Sequence, residues 1–133
     1  MSAISARVRP LRVAVPLAAS IGLLLSTGSG TAQADTTADP ATACPFSRTL
    51  CLFDQPDYNG ARFTAQSLNP PTGVCVDLVE HGWGGTRARS AVNNAPQTPV
   101  LFAGSDCTGS PLPLSGNGLN ASFTFDAKSV IVH

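Results

Sequence analysis

Histidine is scarce in this 133-residue chain, which has only His81 and His133. There is no C-x-x-C either, so the four cysteines lack the spacing of a structural zinc site. The longest mostly apolar run, residues 13–25, is thirteen residues long and contains Pro16. A spanning helix needs about 20 apolar residues, so no membrane anchor is expected. Charged residues make up 12% of the chain, and no block of Lys and Arg occurs. That excludes the electrostatic footprint of a nucleic-acid binder and a polybasic membrane patch.

What is present at the start has a clear order. Arg7, Arg9 and Arg12 come without an acid, the apolar run follows, and then the small, polar STGSGTAQAD. Ala32-Gln33-Ala34 fits the small-x-small pattern of signal-peptidase cleavage. Residues 1–34 therefore read as a secretory signal peptide, and the mature chain, 35–133, is expected outside the cell. Without the three N-terminal arginines it has five basic and eight acidic side chains, a net of −3. Its 99 residues fit one domain, with about two thirds of the unfolded surface buried.

Cys44, Cys51, Cys75 and Cys107 all lie in that mature part. An even count in a small exported domain points to two disulfides, with three pairings open. Residues 35–43 (DTTADPATA) are small and polar and read as a flexible tail ahead of a domain over 44–133.

From Cys44 onward, short apolar runs alternate with turn residues. The runs cover 49–53, 61–67, 74–78, 89–93, 99–102, 119–125 and 128–132. Asn59-Gly60, Asn69 to Gly73, Gly84-Gly85 and Ser115 to Gly118 punctuate them. In Ala121-Ser122-Phe123-Thr124-Phe125 the period is two. Seven or eight strands at this spacing predict an all-β sandwich or barrel. A faint duplication runs through it. Leu52-Phe53 and Leu101-Phe102 are each followed by a glycine seven residues after the aromatic, Gly60 and Gly109. Each copy then leads to a serine-bearing strand, with Ser90 and Ser129. Two units of about forty residues, side by side, are expected.

Phe53-x4-Tyr58-x-Gly60, with Ser90 downstream, is similar to the Greek-key signature of the βγ-crystallin fold. Phe102, Gly109 and Ser129 repeat it, although Cys107 stands in the aromatic's slot. The wider order of motifs is Cys44-x6-Cys51-Leu-Phe, then Tyr-x-Gly, Cys75 and Arg-Ser-Ala-Val-Asn-Asn at 89–94. That order resembles peptidase inhibitor family I36, which includes exported Streptomyces inhibitors of thermolysin-type metalloproteases. The resemblance spans nearly all of 44–133. It implies two Greek keys, a protease as partner, a monomer, and no cofactor. It also matches Cys44–Cys51 to the family's first cysteine pair, which leaves Cys75 for Cys107. The longer Cys75–Cys107 loop implies the larger loss of stability if opened.

A catalytic role would need a nucleophile, a base and an orienting group. His81, with Asp77 or Glu80, is the one candidate base. It sits in Glu80-His81-Gly82-Trp83-Gly84-Gly85, which reads as an exposed loop too glycine-rich for a rigid active site. No enzyme is expected. Calcium is the other chemistry this resemblance raises. The two residues ahead of each serine strand, taken as Arg87-Ala88 and Thr124-Phe125, offer no carboxylate to a hard cation. An inhibitor needs an exposed, extended segment held rigid. Val74-Cys75-Val76 fits, with apolar side chains beside a disulfide anchor, and so does the stretch 104–108. Thermolysin-type enzymes favour apolar side chains, which singles out Val76. The alternatives are that both valines simply face the core, and that the domain is a non-inhibitory binding or structural module.

Overall fold

The computed structural model describes residues 37–133; the signal peptide expected over 1–34 lies outside the described residues. Eight strands form two antiparallel four-stranded sheets. They are β1 (Leu50–Phe53), β2 (Arg62–Ala65), β3 (Val74–Asp77), β4 (Ser90–Asn93), β5 (Val100–Phe102), β6 (Pro111–Pro113), β7 (Gly118–Asn120) and β8 (Ser129–Val132). One sheet runs β2-β1-β4-β7 and the other β3-β8-β5-β6.

This order corrects the picture of two units side by side. Each half of the chain gives three strands to one sheet and its third strand to the other. Thus β3 of the first half pairs with β8, and β7 of the second half pairs with β4. The two Greek keys are interlocked, and neither sheet is complete without the other half.

The main core lies between the sheets. Leu50, Leu52 and Ala91 come from one sheet and Leu101, Val130 and Val132 from the other, with Leu78, Trp83 and Leu114 filling in from connections. The alternation of a strand explains why β1 is buried on both faces. Leu50 and Leu52 point between the sheets, while Cys51 and Phe53 point outward into a second cluster with Cys44, Tyr58 and Val92. Burial of a residue of the size of Leu or Phe stabilises by about 1.5–3 kcal/mol.

Three segments depart from the sequence reading. Residues 40–43, expected within a flexible tail, form a helical turn, α1 (Pro40–Ala43). Asp39 caps it by accepting from the Ala41 N–H, and the Ala38 N–H donates to the Asp57 carbonyl at 2.9 Å. Ala38 and Ala43 pack against the outer cluster, so this stretch is the lid of that cluster. The strand expected over 119–125 stops at Asn120. Beyond it the backbone leaves the ladder: Ala121 accepts from the Asp57 N–H at 2.7 Å, and the Phe123 N–H reaches the Arg89 carbonyl at 2.9 Å. β6 has the sequence Pro-Leu-Pro and gave no strand signal. Two prolines are tolerated there because β6 is a sheet edge.

Candidate inhibitory surface

The residues of the Greek-key signature come together twice, in matching geometry. After β1 the chain folds back in an arch in which Asp57, Tyr58 and Gly60 all have positive φ (56°, 62° and 82°). After β5, Asp106, Cys107 and Gly109 repeat this at 56°, 54° and 84°. At Gly60 any Cβ would come within 2.1 Å of Asp54 Oδ1, so glycine is required there. Ser90 holds the first arch: its Oγ accepts from the Tyr58 N–H at 3.0 Å and donates to the Gln55 carbonyl at 2.6 Å. Ser129 holds the second through the Cys107 N–H at 2.9 Å and the Gly104 carbonyl at 2.6 Å.

The arches differ in what they clamp. Tyr58 meets Phe53 edge to face, with 6.2 Å between ring centroids. Burial, and after it the charge of Asp57, raises the Tyr58 phenol above its ordinary value. In the second arch the equivalent Cys107 is bonded to Cys75 on β3. Because β8 separates β3 from β5 in the sheet, this bond carries the arch across to the sheet edge. The other disulfide, Cys44–Cys51, is fully buried in the outer cluster.

Among the described residues β3, which carries the expected inhibitory residues Val74, Cys75 and Val76, is an edge strand: it pairs with β8 on one side only. The three residues are not equivalent. Val74 and Cys75 are exposed, whereas Val76 is half-buried and packs against the core. Val74 and Val76 share one face of the strand, and Val74, at its start, is the more exposed of the two. The stretch 104–108 lies in the second arch, at the far end of the same disulfide.

Beside β3, a shallow groove of about 510 Å³ is lined by Cys75, Val76, Asp77, Glu80, His81 and Asp106. It brings together the residues named for catalysis. His81 Nδ1 is 2.6 Å from the Asp77 main-chain carbonyl, not from a carboxylate. The Asp77 carboxylate instead accepts from the Glu80 N–H at 2.9 Å, and the lining cysteine is in a disulfide. Among the described residues no group of three or more His, Cys, Asp or Glu could hold a metal.

The loop containing His81 is not simply exposed. Trp83 turns inward, its main-chain N–H bonded to the Leu78 carbonyl at 2.7 Å and its ring in the core. Arg87 covers it, 4.3 Å from the ring centroid, while donating to the Gly82 carbonyl at 2.6 Å and facing Asp54 at 3.8 Å. The serine frame also corrects one pair of candidate cation slots. Ser129 stands to the second half as Ser90 does to the first, so the counterpart of Arg87-Ala88 is Asp126-Ala127, not Thr124-Phe125.

Two residues of the 89–94 motif carry structural roles that composition did not reveal. Asn93, buried, donates to the carbonyls of Ala95, Gln97 and Ser115 at 2.9, 2.9 and 3.2 Å. Asn94 donates to the Cys44 and Phe46 carbonyls, both at 2.8 Å, and so fixes the first disulfide loop.

Two interlocked Greek keys, each with a serine-tied arch, define a βγ-crystallin-type domain. Hahellin, a βγ-crystallin solved by NMR, superimposes with a TM-score of 0.50 at 15% identity, covering 65% of this chain and 93% of that one. A βγ-crystallin from Ciona intestinalis gives a TM-score of 0.49 at 19% identity, with 62% and 95% covered. At such identities the likeness concerns the fold. No curated protein matches the chain by sequence. Residues 37–111 match peptidase inhibitor family I36, and the chain belongs to that family.

Proposed function

We propose that the protein is an exported, monomeric inhibitor of thermolysin-type metalloproteases, and that β3 is laid in the protease cleft. The observation that carries this reading is an exposed edge strand with an apolar side chain, Val74, immediately ahead of a disulfide-anchored Cys75. An edge strand offers unpaired N–H and C=O groups, which is how an extended peptide is recognised by strand addition. The Cys75–Cys107 bond and the β8 ladder hold that strand before the protease arrives, so little ordering entropy is lost on docking. Such an inhibitor works by occupancy and needs no catalytic group, in keeping with a His81 that faces a backbone carbonyl.

The two disulfides and the family are consistent with an extracellular protein, and the N-terminal 34 residues supply the export signal in this reading. The test is titration of the purified 35–133 chain against thermolysin, subtilisin and trypsin. Stoichiometric loss of thermolysin activity, with the inhibitor intact by mass, is expected. A panel left fully active at excess protein would replace this reading with a non-inhibitory binding module.

A further inference from the structure

Five large apolar side chains are substantially exposed among the described residues, and one differs in kind from the rest. Phe46, Val74, Val79 and Leu119 are 40–54% exposed, whereas Leu68 is 94% exposed. Phe46 lies under the Arg62 guanidinium at 4.8 Å, and Val79 packs closely on Gly84.

Leu68 sits in the connection between β2 and β3, and that connection is braced from within. Its neighbour Ser67 is buried, and the Ser67 hydroxyl donates to the Thr72 carbonyl at 2.8 Å, closing the loop across its base. The Thr72 N–H bonds the Asn69 carbonyl at 2.9 Å. Pro70 and Pro71 each have a ring-fixed φ. At the exit, Gly73 passes so close to β8 that a Cβ would sit 3.0 Å from Ile131 Cδ1 and 3.2 Å from His133 Nε2. A loop tied at both ends that holds its one large apolar side chain out in water is pre-organised for a partner.

The loop runs directly into the exposed residues of β3. From Leu68 to Cys75 every residue but Pro70 is exposed. The loop also lies within the segment that matches the inhibitor family. We infer that Leu68 is the principal specificity residue: its side chain enters the apolar subsite beside the catalytic centre of the target metalloprotease, with β3 following as the extended part. This rests on the inhibitor reading above.

The experiment measures inhibition constants against thermolysin for the wild type, Leu68→Ala, Leu68→Asp and Leu68→Ile. Leu119→Asp, at an exposed site on the other sheet, is the control. Removing a side chain that becomes buried on docking weakens binding about 10- to 100-fold. That loss is expected for Leu68→Ala, with a larger one for Leu68→Asp and little change for Leu68→Ile or Leu119→Asp. Because Leu68 makes so little contact with its own domain, melting temperatures should stay within about 2 °C of the wild type, and they report whether a variant has folded. A Leu68→Asp variant that inhibits like the wild type overturns the role of Leu68 and leaves the inhibitor reading standing. A wild type that inhibits no metalloprotease overturns both.

Discussion

The Ser90 hydroxyl links two backbone groups of the first arch, the Tyr58 N–H and the Gln55 carbonyl, more than thirty residues earlier in the chain. It is fully buried, so no water can replace it without a rearrangement. Ser90→Ala leaves one donor and one acceptor unpartnered and should destabilise by about 2–4 kcal/mol. Ser129→Ala breaks the matching pair in the second arch but should cost less, because Cys75–Cys107 still restrains that arch. Urea unfolding of the two variants checks both the size and the order. Equal losses would show that the disulfide does not share the load.

Gly60 and Gly109 occupy equivalent places, yet their surroundings differ. Alanine at either is disfavoured by the positive φ, by about 1–2 kcal/mol. At Gly60 the new Cβ would also displace the Asp54 carboxylate, which accepts from the Ala61 N–H at 2.8 Å. At Gly109 the nearest atom is the Gly104 amide nitrogen, 3.1 Å away. Gly60→Ala should therefore lower stability by about 1 kcal/mol more than Gly109→Ala, the value of the Asp54 hydrogen bond. Parallel thermal melts would decide it.

The disulfides call for a reversal of the expectation from loop length. Chain entropy alone gives about 2.4 kcal/mol for the Cys44–Cys51 loop and about 3.7 kcal/mol for Cys75–Cys107. Burial changes the balance. Cys44 and Cys51 are both buried among Phe53, Tyr58 and Val92, while Cys75 is exposed. Paired Cys→Ser changes at 44 and 51 would place two hydroxyls in an apolar cluster, at about 1–3 kcal/mol each. The 44/51 double variant should therefore be the less stable of the two by denaturant midpoint. A larger loss in the 75/107 variant would mean that loop entropy dominates after all.

Much of this was legible because the signals were local. Strand positions followed from runs bounded by Gly, Pro and Asn, and the arches followed from Phe-x6-Gly with a later serine. Where the reading failed, the cause was long-range. Nothing local to residues 74–77 shows that β3 joins the sheet of the other half, since its partner β8 lies more than fifty residues away. Trp83 resembled a loop residue because three glycines surround it; those glycines let the chain turn the indole inward. Pro111-Leu112-Pro113 resembled a break because the sequence does not reveal that β6 is an edge. Leu68 lies just beyond the 61–67 run, and nothing in the local sequence shows that its side chain is held out in water.

Tyr58 supplies a pH-dependent test of the outer cluster. Its phenol titrates above its ordinary value of 10.0, first because it is buried and second because Asp57 is beside it. The neutral form is thus the one the fold prefers. Below the unfolded pKa both states hold the proton and the contribution is fully present. As pH rises past 10, the unfolded chain loses the proton first, so it binds fewer protons than the native state and stability falls. The decline continues until the native phenol also ionises. Tyr58→Phe removes the titration while keeping the edge-to-face contact with Phe53. This variant should lose less stability than the wild type between pH 9.5 and 11, measured as the shift in urea midpoint. No other tyrosine is present to confuse the result. If both proteins declined in parallel over that range, the Tyr58 phenol would not be titrating in the environment that Phe53, Val92 and α1 provide.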